Sequence, residues 1–187
     1  MREPKYRDIK SEILESSFEY LSKNGLENIS MRDLCKGVGI SIGSVYYWFE
    51  NKEELIAETA EYGLRKVSDD IFIYAFENIR DIESGFEGCF DKINEHRVAL
   101  RFIYQLASSP VYGDVIRKRG SDLESVYHEY AIRLSKTLDR SVDFMLPLVY
   151  LFVSAVLDYA VWEDYTKTKA QLDYISTLLK RSSTEST

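Results

Sequence analysis

The stretch ISMRDLCKGVGISIGSVYYWFENKEELI, residues Ile29–Ile56, decides the fold of this chain. Ser30 stands three residues before Asp33, the spacing of a capping box that opens a helix. Met31, Leu34, Cys35 and Val38 follow at i, i+3, i+4 and i+7, which puts them on one helical face. Gly39 ends that helix. Ser41 is a preferred N-cap and opens a third short helix over about 42–48. Asn51 starts a fourth, with Glu53 and Glu54 in the first turn, where the helix dipole favours them. Two short amphipathic helices joined by a tight glycine-containing turn make a helix-turn-helix.

The pattern extends on both sides. Upstream, Ile9, Ile13, Leu14, Phe18 and Leu21 build one apolar stripe, and Lys23 and Gly25 close that first helix. Downstream, the fourth helix runs to residues 75–78. Further helices are expected near 82–95, 97–107, 112–137, 142–164 and 168–180. No alternating strand pattern of useful length appears, and nine glycines and three prolines leave few turns. The expected fold is all-α. A three-helix domain carrying the helix-turn-helix spans residues 1–50, and a larger helical domain spans 51–187. The fourth helix starts the second domain and joins the two.

Composition limits the function. The net charge is −7, which argues against nucleic acid for the chain as a whole. The acid is unevenly spread. Residues 1–52 hold eight Lys/Arg and eight Asp/Glu, so residues 53–187, with 16 and 23, carry all of the −7. A local basic face is therefore open to the N-terminal part, from Arg2, Lys5, Arg7, Lys10, Arg32, Lys36 and Lys52.

Cys35 and Cys89 are the only cysteines, and neither forms a metal-type pair. They read as buried free thiols of a reducing compartment. The N-terminus has no apolar run of a signal peptide, so a cytoplasmic location is expected. Val142–Trp162 is the most apolar segment. Its charge-free run between Asp143 and Asp158 is 14 residues, short of the roughly 20 a membrane span needs. A buried helix is expected there, with no membrane partner.

No catalytic constellation is visible. His96 and His128 are far apart, and HEYA at His128 lacks the second histidine of a zinc-protease motif. Asp69-Asp70 and Glu163-Asp164 are adjacent pairs that point to different sides of a helix and read as solvated. No phosphate loop or nucleophile elbow occurs. No enzymatic activity, metal or cofactor is expected.

On a helical wheel the aromatics of the third helix divide. Val45 and Phe49 lie on the core side, bordered by Trp48. Gly43, Ser44 and Tyr47 lie opposite, with Tyr46 on a flank. An outward glycine gives up roughly 1 kcal/mol of helix propensity relative to alanine. That loss makes sense where another surface must approach the backbone closely. Lys52 opposes the dipole of the helix it begins, a placement that a bound phosphate explains. These residues fit a helix that enters a DNA major groove by its N-terminus, with tyrosine and serine hydroxyls on phosphates and Ile42 near a thymine methyl.

The stretch resembles the DNA-binding motif of TetR-family transcriptional regulators. It shares the Ser/Thr helix start, the glycine turn, Ser-x-Gly-Ser/Thr, aliphatic-Tyr, and Phe-x-Asn/Asp-Lys-Glu-x-Leu. The resemblance covers about residues 9–56. Cys35, Val38 and Trp48 depart from it, and Trp48 leaves the role of its position open. The resemblance implies an all-α homodimer that binds a near-palindromic DNA operator, most simply as a repressor released by a small effector. It places DNA contacts at Ser30, Arg32, Ser41, Ile42, Ser44, Tyr46, Tyr47 and Lys52, beside Gly43.

It also implies a small-molecule pocket in the second domain. The aromatic content there suits a hydrophobic or aromatic ligand, with Phe86, Phe90, Phe102, Tyr104, Gln105, Tyr127, His128 and Tyr159 as candidate lining. Dimerisation is expected through the helices near 142–164 and 168–180, by Tyr150, Val153, Leu157, Leu172, Ile175 and Leu179. Two alternatives stay open. Activation would use the same DNA contacts, and the neutral N-terminal segment with its arginine-free third helix also suits a motif that docks a protein.

Overall fold

The structure is a computed structural model. It describes residues 9–26, 29–77, 82–118 and 120–181, except for the side chains at 77, 115, 120–123 and 181. Arg2, Lys5 and Arg7 therefore lie outside the described residues. Among the described residues ten α-helical segments follow one another: α1 (Ile9–Asn24), α2 (Met31–Val38), α3 (Ile42–Trp48), α4 (Lys52–Phe72), α5 (Ile82–Glu95), α6 (Arg97–Ser108), α7 (Gly113–Lys118), α8 (Gly120–Leu138), α9 (Val142–Trp162) and α10 (Tyr165–Arg181). The described residues contain no strand.

Local chemistry sets the early boundaries. The Ser30 side chain accepts from the Asp33 amide at 3.1 Å, and the Asp33 carboxylate accepts from the Ser30 amide at 3.2 Å, completing the capping box. Those serine contacts hold the Asp33 carboxyl below the usual carboxylate range. Gly39 adopts φ 72°, in the left-handed region where a Cβ is penalised, and this lets the chain reverse between α2 and α3. Ser41 caps α3 through the Ser44 amide, and Asn51 caps α4 through the Glu54 amide at 2.8 Å.

Later boundaries differ from the sequence expectation. The expected 112–137 helix is described as α7 up to Lys118 and α8 from Gly120 to Leu138, and residue 119 lies outside the described residues. α9 stops at Trp162 because Glu163 turns into the left-handed region at φ 56°. Asp164 accepts from the Lys167 amide at 3.0 Å, so α10 begins at Tyr165, three residues early. Past Phe72, α4 continues as one π-helical turn, Ile73–Glu77.

A single buried cluster runs from α1 to α10. α1, α2 and α3 close around Phe18, Leu21, Leu34, Val45 and Phe49. α4 joins this group to the remaining helices. At Gly63 the α1 and α4 surfaces come so close that a Cβ would stand 2.0 Å from the Phe18 ring. Lys10 pairs with Glu58 at 2.6 Å and Lys66 with Glu15 at 2.5 Å across the same seam.

The acidic pairs are solvent-accessible, as expected, and also make contacts. Tyr130 donates to Asp69 at 2.8 Å, and Asp70 lies 2.7 Å from His96. Glu163 binds Arg97 at 2.5 Å and Arg101 at 2.6 Å, which fastens α6 to the end of α9. α9 is long and apolar enough to cross a membrane by length and composition. In the fold it is packed by α5, α6, α8 and α10. Both cysteines are free and buried, and burial pushes the Cys89 thiol up to about 12.

Candidate nucleic-acid interface

α3 is held by its apolar side and offers the other. Val45 and Phe49 are buried, while Tyr46 is 53% and Tyr47 78% exposed. Ser41, Ile42 and Gly43 are exposed and Ser44 is half-buried. The Ser41 and Ser44 hydroxyls are 2.7 Å apart at the start of the helix. A Cβ added at Gly43 would meet no atom within 4 Å. Among the described residues nothing therefore requires glycine at that position. Trp48 is partly exposed, and its ring packs edge-on against Tyr47, centroids 5.0 Å apart. It belongs to the exposed aromatic face and props the Tyr47 ring.

The cations divide. Arg32 and Lys36 are exposed on α2. Lys10 is committed to Glu58 and lies 5.3 Å from the Phe49 ring. Lys52 is half-buried; its ammonium donates to the Ile29 carbonyl at 3.2 Å and sits 5.9 Å from the centre of the Tyr112 ring. The Ser30 hydroxyl is engaged with Asp33. Sequence periodicity could show neither the Lys10 pair nor the Lys52 contact, because both partners are distant in the chain.

Two apolar cavities open beside α4. The larger, about 130 Å³, is walled by α4, α6, α7, α8 and α9. Tyr104 and Tyr127 line it, together with Glu61, Leu64, Ile116 and Leu157. Burial raises the Tyr127 hydroxyl pKa, with Tyr150 adding to the shift, so the phenol stays protonated. The smaller cavity, about 20 Å³, shares Leu64 and Leu157 with the first and continues to Phe72 and Phe152.

The other six residues expected in the pocket lie elsewhere. Phe86 stacks with Phe152, Phe90 packs on Tyr159 and Tyr165, and Phe102 meets Phe18 of α1. Gln105 and His128 are exposed. The available sequence signal was Ala57, Ala60 and Ala107, small side chains that leave space where helices meet.

The dimer candidates are placed differently from expectation. Leu172, Ile175 and Leu179 are 1%, 2% and 6% exposed, consumed by the core of their own protomer. Leu157 lines both cavities and Val153 the smaller one. Tyr150 is partly exposed and meets the Tyr127 ring at 5.5 Å. The solvent side of α9 instead carries Pro147, Leu151, Ser154 and Trp162, and that of α10 carries Ala170 and Tyr174. Asp158 and Lys167 pair between the two helices.

A ligand-type cluster also forms at Asp70, Glu95 and His96, whose donor atoms lie within 4.8 Å of one another. Lys92 stands among them, 2.8 Å from Glu95 and 3.5 Å from Asp70, and supplies the balancing positive charge.

A capped two-helix motif with an outward aromatic and small-polar face, set on an all-helical body, is the architecture of a helix-turn-helix transcriptional regulator. Comparisons with known proteins agree. Residues 13–59 match the model of bacterial regulatory proteins of the tetR family. The chain is 24% identical over 153 residues to the HTH-type transcriptional repressor AcnR of Corynebacterium glutamicum, covering 80% of this chain and 78% of that protein. It is 32% identical over 75 residues to an HTH-type transcriptional regulator of Staphylococcus aureus, 40% of this chain and 38% of that one.

The fold is shared with the SCO7518 protein of Streptomyces coelicolor A3(2), at TM-score 0.67 and 17% identity, covering 91% of this chain and 97% of that one. It is also shared with the TetR family repressor AlkX of a Dietzia strain, at TM-score 0.64 and 14% identity, covering 92% and 95%. The comparisons thus place residues 13–59 in the tetR family of bacterial regulatory proteins and give the whole chain the fold of a TetR family repressor.

Proposed function

We propose that the protein is a homodimeric repressor that holds a near-palindromic operator and leaves it when a small effector enters the second domain. The observation that carries this reading is the outward face of α3. A Cβ at Gly43 would meet none of the described residues, and Tyr46 and Tyr47 stand in solvent beside it. Ser41, Ile42, Gly43 and Ser44 enter the major groove, where Gly43 lets the duplex approach the backbone. Tyr46 and Tyr47 donate to phosphates, with Ser30, Arg32 and Lys52 on the flanking backbone. Residues 1–50 form the DNA-binding unit, and 51–187 the effector-binding and dimerisation unit.

Two-fold pairing through the solvent sides of α9 and α10 sets the distance between the two recognition helices. One duplex turn is roughly 34–36 Å, so a small rotation of α4 takes them out of register. A route for that rotation is at hand. Ile116 lines the larger cavity, and its amide donates to the Tyr112 carbonyl at 3.0 Å. Tyr112 in turn lies under Lys52 at the start of α4. An effector shifts the equilibrium by its difference in affinity for the two states.

The test is a mobility shift with DNA upstream of the protein's own gene, repeated across a salt series. A specific complex whose affinity falls steeply with salt supports the reading. Intact dimer with no preference for any segment over random duplex overturns it.

A further inference from the structure

Among the described residues, Glu61 is the one charged side chain on the wall of the larger cavity, set among alanine, leucine and isoleucine side chains. The rings of Tyr104 and Tyr127 complete the wall. The adjoining smaller cavity has no charged lining residue among those described. The electrostatic sense of these three groups is the same. A carboxylate attracts a cation, and the face of an aromatic ring carries the negative lobe of its quadrupole. Among the described residues no lysine or arginine lines either cavity, so Glu61 disfavours an anion there. Glu61 already holds an interaction within the protein. A carboxylate has about four acceptor sites, which leaves capacity for an incoming ammonium.

Size narrows the class further. The cavity is about 130 Å³. An apolar protein cavity of about 150 Å³ holds one benzene. The smaller space beyond Leu64 and Leu157, about 20 Å³, adds room for little more than a methyl group.

We propose that this cavity binds a small organic cation, an ammonium group joined by a short linker to an apolar body of about one aromatic ring. The ammonium sits at Glu61 between Tyr104 and Tyr127, and the apolar body lies against Leu64, Ile116 and Leu157. The assignment deepens the reading of the chain as an effector-controlled regulator and, as a mechanism of control, rests on it. Ile116 is the wall residue nearest in sequence to the Tyr112–Lys52 contact, so filling the cavity bears directly on the start of α4.

Isothermal titration of the full chain with three probes of equal shape tests the proposal. These are 2-phenylethylammonium, 2-phenylethanol and phenylacetate. The ammonium is expected to bind about tenfold or more tighter than the alcohol, with phenylacetate weakest. Glu61→Gln is expected to abolish the preference of ammonium over alcohol while leaving alcohol binding in place. Ala107→Leu, which fills the rim, is expected to weaken both ligands in a protein whose thermal unfolding is still cooperative.

Equal affinity for ammonium and alcohol, tighter binding of phenylacetate, no binding of any probe, or a cation preference that survives Glu61→Gln would each overturn the proposal. The DNA complex supplies a separate arm. An ammonium that binds through Glu61 but leaves the operator complex intact supports the cavity assignment and overturns the effector role. An operator complex that forms while no probe binds overturns the cavity assignment and leaves the DNA reading standing.

Discussion

The ammonium of Lys52 donates to the carbonyl oxygen of Ile29, 3.2 Å away and 23 residues earlier in the chain. This bond ties the first turn of α4 to the loop before α2, and the Tyr112 ring covers it from the second domain. A hydrogen bond to a charged group contributes about 1.5–3 kcal/mol. Lys52→Met is expected to lower unfolding stability by about 1–2 kcal/mol for that reason. Urea denaturation at neutral pH measures it, and unchanged stability would show that the contact contributes nothing in solution. The same variant is expected to lower the salt slope of operator binding by about one.

Gly43→Ala separates folding from recognition. A Cβ at this position meets nothing within 4 Å, so the alanine is expected to stabilise the protein by up to about 1 kcal/mol. Operator affinity is expected to fall about tenfold or more, equivalent to ~1.4 kcal/mol. Opposite signs in a thermal melt and a binding titration are the decisive pattern. Unaltered DNA binding would remove Gly43 from the interface.

Tyr47 is 78% exposed, and its ring touches Trp48. Tyr47→Phe keeps that contact and deletes only the hydroxyl. Stability should stay within about 0.5 kcal/mol, as for surface changes that break no special feature. Operator binding should weaken about tenfold, the worth of one hydrogen bond to a charged phosphate oxygen. Loss of cooperative unfolding would instead assign the hydroxyl a structural role.

Leu151 and Trp162 stand in solvent at 48% and 69% exposure on one stripe of α9. Burying a leucine side chain contributes roughly 1.5–3 kcal/mol, and a two-fold contact counts it twice. Leu151→Glu is expected to give a folded monomer by sedimentation velocity, whereas Leu172→Glu should unfold the protein because that side chain is fully enclosed. A dimer that survives Leu151→Glu would move the interface elsewhere.

Acid should loosen the junction of α4 with α5 and α6. The His96 imidazole, with Lys92 adding, holds the Asp70 carboxyl below the usual carboxylate range, while Glu95 faces Lys92. A lowered folded pKa gives stability that is present above the unfolded value, about 3.9, and lost as pH falls through the folded one. Asp70→Asn is expected to be less stable than the native chain at pH 5, with the gap closing toward pH 2.5. A gap independent of pH would assign the effect to packing rather than charge.

The helix-turn-helix was legible because its determinants are local. Ser30, Ser41 and Asn51 each cap a helix within three residues of themselves, and Gly39 turns the chain at its own φ. The split of α3 into a buried Val45–Phe49 side and an exposed Tyr46–Tyr47 side follows from helical geometry alone. The second domain was less legible. Sequence periodicity shows that Leu172, Ile175 and Leu179 share a stripe, but not whether the stripe faces its own protomer or another. Likewise it shows many aromatics, yet Phe86, Phe90 and Phe102 fill gaps between helices while alanines make the space.

By itself, then, the sequence determined the all-helical class, the order of the first four helices and the face α3 turns outward. Caps, turns and a 100° repeat act between residues three or four apart, and no distant partner is needed to read them. Only the tertiary structure decided which residues surround the cavity, where α9 gives way to α10, and that Lys52 is bound to Ile29 over the Tyr112 ring. Those outcomes depend on how helices far apart in the chain rotate to fill one volume and pair their charges.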